Sequence, residues 1–92
     1  MFNDLFSIDT LPTLDLHGEI GPIARVRIND FILENYKLKN KYLVIIHGKG
    51  TGLVKDVTYK TLKLNKLVNE YKLYYFNDGC TIVKLEENNK TN

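Results

Sequence analysis

One cysteine, Cys80, in 92 residues leaves no partner for an internal disulfide and no basis for a cysteine-rich zinc site. Apolar runs are short. The longest, Tyr42-Leu43-Val44-Ile45-Ile46, is strand-sized, far below the ~20 residues a membrane span needs. The start, Met1-Phe2-Asn3-Asp4, has no basic segment followed by an apolar one, so no secretory signal is visible. Net charge is only +2, which by itself selects no partner. What remains has 43% hydrophobic and 26% charged residues, the balance of an ordinary globular chain with room for one small domain. The expectation is a soluble intracellular protein of the cytoplasm with no membrane partner, and Met1 favours a free-standing start.

The charge is unevenly spread. Residues 1–36 carry two Arg against six acidic residues, whereas residues 37–72 carry nine Lys against Asp56 and Glu70. A basic middle on a nearly neutral chain would attract a polyanion such as RNA or DNA. The same lysines would also be expected on any solvated face of a Lys- and Asn-rich chain.

Leu11 to Leu16 fits a strand ending at His17-Gly18. Pro22 then suits the first position of a helix, where its missing N–H costs nothing. Ile20, Ile23, Ala24, Ile28, Phe31 and Ile32 recur at helical spacing through about Tyr36. Tyr42 to Ile46 reads as a strand covered on both faces. A second helix is expected from Leu53 to Asn65 or Lys66, with Val54, Val57, Thr61, Leu62 and Leu64 inward. Tyr71 to Tyr75 has the period-two pattern of a strand, and Asn77-Asp78-Gly79 is a turn leading to a returning strand, Cys80 to Leu85. The fold class is α/β, an α+β two-layer domain of order βαβαββ with two helices and one small mixed four-stranded sheet. Crossovers should be right-handed, and joined strands parallel where they neighbour each other. Residues 1–12 form an N-terminal extension, 13–85 the domain, and 86–92 a polar, frayed tail.

Two strand-to-helix junctions are chemically loaded. In Leu14-Asp15-Leu16-His17-Gly18, Asp15 and His17 point to one side of a strand and the leucines to the other. A carboxylate beside an imidazole raises its basicity and can fix its tautomer. The second junction is His47-Gly48-Lys49-Gly50-Thr51-Gly52. Glycines there let the backbone approach a ligand, and a helix starting just after favours an anion such as a phosphodiester. Lys49 and Thr51 add a charge and a hydroxyl. The loop is neither a P-loop, since Gly50 follows Lys49, nor a dinucleotide fingerprint, since the spacing is Gly-x-Gly-x-Gly.

Parallel strands ending at one edge would bring Asp15, His17 and His47 to the same phosphate loop. Two imidazoles flanking a phosphodiester suit general acid–base cleavage, with a ribose 2′-hydroxyl as nucleophile if the target is RNA. The same trio holding a divalent cation would instead favour hydrolysis; the chemistry does not require a metal, and spacing does not separate the two.

These residues, with Gly79-Cys80-Thr81-Ile82-Val83-Lys84-Leu85, resemble the Smr domain (small MutS-related) over about Thr13 to Leu85. The resemblance implies a fold similar to the C-terminal domain of translation initiation factor three. It also implies action on nucleic acid: DNA nicking in MutS2-type proteins, or cutting of mRNA at stalled ribosomes. The family's Asp-x-His motif falls on Asp15 and His17, and its His-Gly-x-Gly motif on His47, Gly48, Lys49 and Gly50. Many MutS2-type domains have Arg where His17 stands, so this chain looks more like the stand-alone or ribosome-rescue branch. Two positions depart from the pattern. Gly21-Pro22-Ile23-Ala24 replaces a Thr-x-x-Glu-Ala helix start, and Lys55 stands where Arg is common, which loses a bidentate phosphate grip. The expected function is an endonuclease acting on RNA rather than DNA. The catalytic residues would be Asp15, His17 and His47, with Gly48, Lys49, Gly50, Thr51, Gly52 and Lys55 on the nucleic acid. A binding module without chemistry, docked on nucleic acid or the ribosome, a DNA-nicking domain related to MutS2, and a small phosphate or nucleotide binder are the alternatives.

Overall fold

The computed structural model describes residues 8–89. The first seven positions of the expected N-terminal extension and the last three of the expected tail lie outside that range. The elements are β1 (Thr13–Asp15), α1 (Gly21–Lys37), β2 (Tyr42–Ile46), α2 (Leu53–Leu64), β3 (Val68–Leu73) and β4 (Cys80–Leu85). The sheet order is β1-β2-β4-β3, with β1 and β2 parallel and β4 antiparallel to both its neighbours. The element order and the mixed four-stranded sheet are those expected from the sequence.

Both helices cover one face of the sheet. Ala24, Ile28 and Ile32 of α1 and Leu62 of α2 pack on Leu43, Ile45, Val83 and Leu85, all fully or almost fully buried. Burying apolar surface at ~25 cal/mol per Å² makes this layer the main source of stability. Val44 and Ile82 alternate to the other face and are buried as well, which agrees with a central strand covered on both sides. Ile20 and Ile23 do not join the core, contrary to the periodicity reading. The buried stripe of α1 begins one residue later and runs Ala24, Ile28, Ile32, Asn35. Leu64 is also exposed, because it sits about 200° around α2 from Leu62, at the helix end. Thr58, missed by the apolar pattern, is buried with its hydroxyl donating to Val54 O at 2.8 Å.

The third strand starts at Val68, three residues before its expected start. A register shift between Val68 and Glu70 breaks the period-two alternation, so only the stretch after it reads as a strand. The tail is not frayed at its start: Glu86 N–H donates to Leu67 O at 2.7 Å and the Asn88 side-chain amide to Tyr36 O at 3.0 Å. The β1 and β2 ends, the start of α2 and the β3–β4 connection all meet at one end of the sheet.

Candidate functional site

Asp15 closes β1 with its side chain out of phase with Leu14 and Leu16, and so in solvent. The chain then turns through Gly18, the Glu19 N–H donating to Leu16 O at 3.0 Å. That turn folds His17 back onto Asp15. One carboxylate oxygen, Oδ1, accepts from the His17 backbone N–H at 3.1 Å and from ring Nδ1 at 2.6 Å. These partners assign the proton to Nδ1 and turn Nε2 outward on a side chain that is 71% exposed. The hydrogen bond to Asp15, then its charge, raises the His17 pKa above the usual 6.5. The reciprocal bonds hold the Asp15 carboxyl below its ordinary value. The paired carboxylate thus favours the protonated ring and stabilises an imidazolium formed there.

His47 is a different group. It follows Leu43 and Ile45 at two-residue spacing, so it stays in phase with the side chains that face the helices. Only 4% of it is exposed. Its Nε2 lies 2.8 Å from Thr81 Oγ1 on β4, and its Nδ1 lies 3.1 Å from Gly48 O. A carbonyl can only accept, so Nδ1 carries the proton and the Thr81 hydroxyl donates to Nε2. The Tyr59 ring from α2 meets the imidazole edge-on at 6.3 Å. Burial, more than any other cause, lowers the His47 pKa, which favours the neutral ring. Two free imidazoles therefore do not flank one phosphodiester: both ring nitrogens of His47 are spent inside the domain. The expected trio of metal ligands does not converge either, and among the described residues no three such side chains group together.

The backbone after His47 does reach the first junction. Gly48 has φ +85°, and a Cβ there would stand 3.2 Å from His17 Cβ, so glycine is required both by conformation and by the contact. The amides of His47 and Gly48 donate to Gly79 O at 2.9 and 3.0 Å. Gly79 has no positive φ. Its glycine eases a close approach, since a Cβ would stand 3.2 Å from Asn77 Oδ1 and Lys49 Cγ and 3.4 Å from Gly48 C. Among the described residues nothing accepts from the amides of residues 49–52, which precede the N-terminus of α2. These groups and the helix dipole favour a negative charge. His17, Gly18, His47, the 48–52 loop, Asn77 and Gly79 line a cleft of about 600 Å³.

The sequence model of the Smr domain matches residues 14–86 of this chain. The chain belongs to the Smr domain family. Among similar proteins, an endonuclease MutS2 from Halothermothrix orenii is 34% identical over 76 residues, covering 83% of this chain and 10% of that protein. One from Ligilactobacillus salivarius is 37% identical over 68 residues, covering 74% and 9%. The crystal structure of the Smr domain of Thermus thermophilus MutS2 superposes with a TM-score of 0.79 at 25% identity, covering 83% of this chain and 99% of that one. The chain thus spans about a tenth of the length of the curated relatives it matches.

In this Smr domain the two motifs meet at the cleft but present different things. Asp15 and His17 present a titratable ring; His47 presents its backbone and anchors the loop. Lys49 is exposed, with its ammonium 3.5 Å from Asp78. Thr51 Oγ1 accepts from Leu53 N–H at 3.4 Å, and Gly52 precedes α2 in a left-handed conformation. Lys55 does not line the cleft; its ammonium lies over the Tyr59 ring, 5.8 Å from the centroid. Three functional neighbours escaped the sequence reading. Thr81 holds His47, and nothing local pairs residues 34 apart. Arg27 reaches Asp15 O at 3.4 Å and Glu19 at 3.3 Å, fixing α1 to the β1 turn. Phe76 is 75% exposed in the β3–β4 connection, next in sequence to Asn77, which lines the cleft.

Proposed function

We propose that this domain is an endonuclease that cuts single phosphodiester bonds, in RNA rather than DNA, with His17 as its acid–base group. The observation that carries this reading is the Asp15–His17 pair, 2.6 Å apart with Nε2 outward, its His17 lining the same cleft as the 48–52 loop, whose amides at 49–52 have no acceptor among the described residues. A phosphate seated on residues 49–52 would have its charge met by these amides, the α2 N-terminus and Lys49. Nε2 of His17 would take the proton of a neighbouring ribose 2′-hydroxyl, whose oxygen then attacks phosphorus. The leaving 5′ oxygen takes a proton from water, which reaches this open cleft. The products are a 2′,3′-cyclic phosphate and a 5′-hydroxyl, and the reaction needs a sugar that DNA lacks. Asp15 stabilises the imidazolium that forms, and His47 is a positioning residue that fixes the loop opposite. The likeness to proteins named endonuclease supports the reaction class. Among the described residues no helix is long and apolar enough to cross a membrane. The RNA the domain cuts is expected to be mRNA, including mRNA on the ribosome.

The test incubates the purified protein with matched single-stranded RNA and DNA, with and without chelator. We expect RNA to be cut to cyclic-phosphate ends whether or not chelator is present. His17→Ala should lower the rate by ~10²–10⁴ with only a small change in thermal unfolding, because that side chain is mostly in water and loses only its bond to Asp15. Full activity in His17→Ala would defeat the mechanism; full nucleic-acid binding with no cutting by the unaltered protein would make the domain a binding module.

A further inference from the structure

Tyr75 and Phe76 are 87% and 75% exposed, although each carries a large apolar ring. Their exposure is imposed by the backbone. Asn77 N–H donates to Tyr74 O at 3.3 Å and Cys80 N–H to Asn77 O at 3.1 Å, so the β3–β4 connection folds into two successive turns. Tyr75 and Phe76 are the corner residues of the first. The Phe76 ring stands edge-on to Tyr75 at 5.0 Å and to Tyr74 at 5.7 Å, so the three rings brace one another outside the core. The same connection is bolted to the phosphate loop: Gly79 O accepts the amides of His47 and Gly48, and Asp78 pairs with Lys49. Asn77 and Gly79 also line the cleft that holds His17. An aromatic corner therefore adjoins the 48–52 loop through Asp78 and Gly79, and Lys49 of that loop carries positive charge into the same cleft.

We infer that the Tyr75–Phe76 corner is a stacking platform for an unpaired nucleobase next to the phosphate held by the 48–52 loop, which makes single-stranded nucleic acid the substrate class of this site. Aromatic faces take any base once it is free of its own stack, whereas a base inside a duplex is already covered on both sides. The inference rests on the reading of the cleft as a phosphodiester site.

The chain has no tryptophan, so Tyr75→Trp introduces a single indole at the platform. In a His17→Ala background, which should keep the oligonucleotide whole, three probes are titrated: a single-stranded 12-nucleotide RNA, the same strand with abasic sites, and the matched duplex. The expected result is saturable quenching by the single strand, and little by the abasic strand or the duplex. The double variant Tyr75→Ala/Phe76→Ala should bind the single strand about 10- to 100-fold more weakly, with its binding to duplex and its circular dichroism unchanged. Equal quenching by the abasic strand, or unchanged affinity in the double variant, overturns the platform. If Lys49→Ala still weakens binding in that case, the phosphate cleft stands alone and the exposed rings belong to a protein contact. If no oligonucleotide binds at all, the platform and the cleft reading fall together, and continued cutting of RNA by His17→Ala would overturn only the catalytic assignment.

Discussion

Replacing Thr81 by Val keeps the shape of a fully buried β4 side chain and removes one hydroxyl. His47 Nε2, 2.8 Å away on a residue only 4% exposed, then loses that donor. A buried acceptor left without its hydrogen bond costs ~1–3 kcal/mol. For a domain of this size ~2 kcal/mol corresponds to roughly 8–16 °C in melting temperature, against a total stability of about 5–14 kcal/mol. Thermal and urea unfolding followed by circular dichroism should therefore show a marked loss in Thr81→Val. The companion variant His47→Phe removes the other partner, and the double variant removes both. Since replacing both members of a buried pair by apolar groups costs less than orphaning one, the cycle should show a coupling of about 0.5–3 kcal/mol. Cleavage per folded molecule in Thr81→Val should fall only modestly, because His47 anchors the loop without touching the reacting atoms. A melting temperature within 1 °C of the unaltered protein, or strictly additive costs in the cycle, would refute the hydrogen bond and the positioning role built on it.

Asp15→Asn removes the hydrogen-bonded charge that raises the His17 pKa, so the inflection of cleavage rate against pH should move to lower pH; an unmoved profile would mean that another group titrates. Gly48→Ala places a Cβ at φ +85° and 3.2 Å from His17 Cβ, for which we expect a loss of ~1–3 kcal/mol and a displaced His17. Gly50→Ala, with open space at its Cβ, should stay within ~0.5 kcal/mol in the same unfolding assay. Because the His47 pKa is lowered on folding, its contribution to stability is complete above the unfolded value of 6.5 and is lost as pH falls below it. His17 has the opposite sign, its contribution being lost as pH rises through its raised folded value. Denaturant titrations from pH 5 to 8 should thus lose a slope in His47→Phe on the acid side of 6.5, and an unchanged slope would contradict a neutral buried ring.

The two histidines illustrate how far residue spacing carries. Asp15 and His17 are out of phase with Leu14 and Leu16, and both are exposed in the structure. The same count makes His47 in phase with Leu43 and Ile45, a signal of burial that outweighs its place beside a glycine loop. Phase was legible for Asp15 and His17, and it was equally present for His47. Gly79 reads as a residue that frees a turn; the structure shows instead that it makes room for Lys49 and Gly48. Exposure of Phe76 was not legible, since an aromatic residue between a strand and a turn is compatible with either side.

The order of elements and the direction of the side chains along β1 and β2 follow from the sequence alone, because they depend on neighbours a few residues away and on a two-residue period; α1 begins at Gly21, one residue before the expected Pro22. The insertion of β4 between β2 and β3 was decided only in three dimensions. That pairing sets Cys80 opposite Ile46 and puts Thr81 and Gly79 against His47 and Gly48. No local pattern encodes it, since any amide ladder can accept several strands; the choice is made by which arrangement buries Leu43, Ile45, Val83 and Leu85 together beneath two helices.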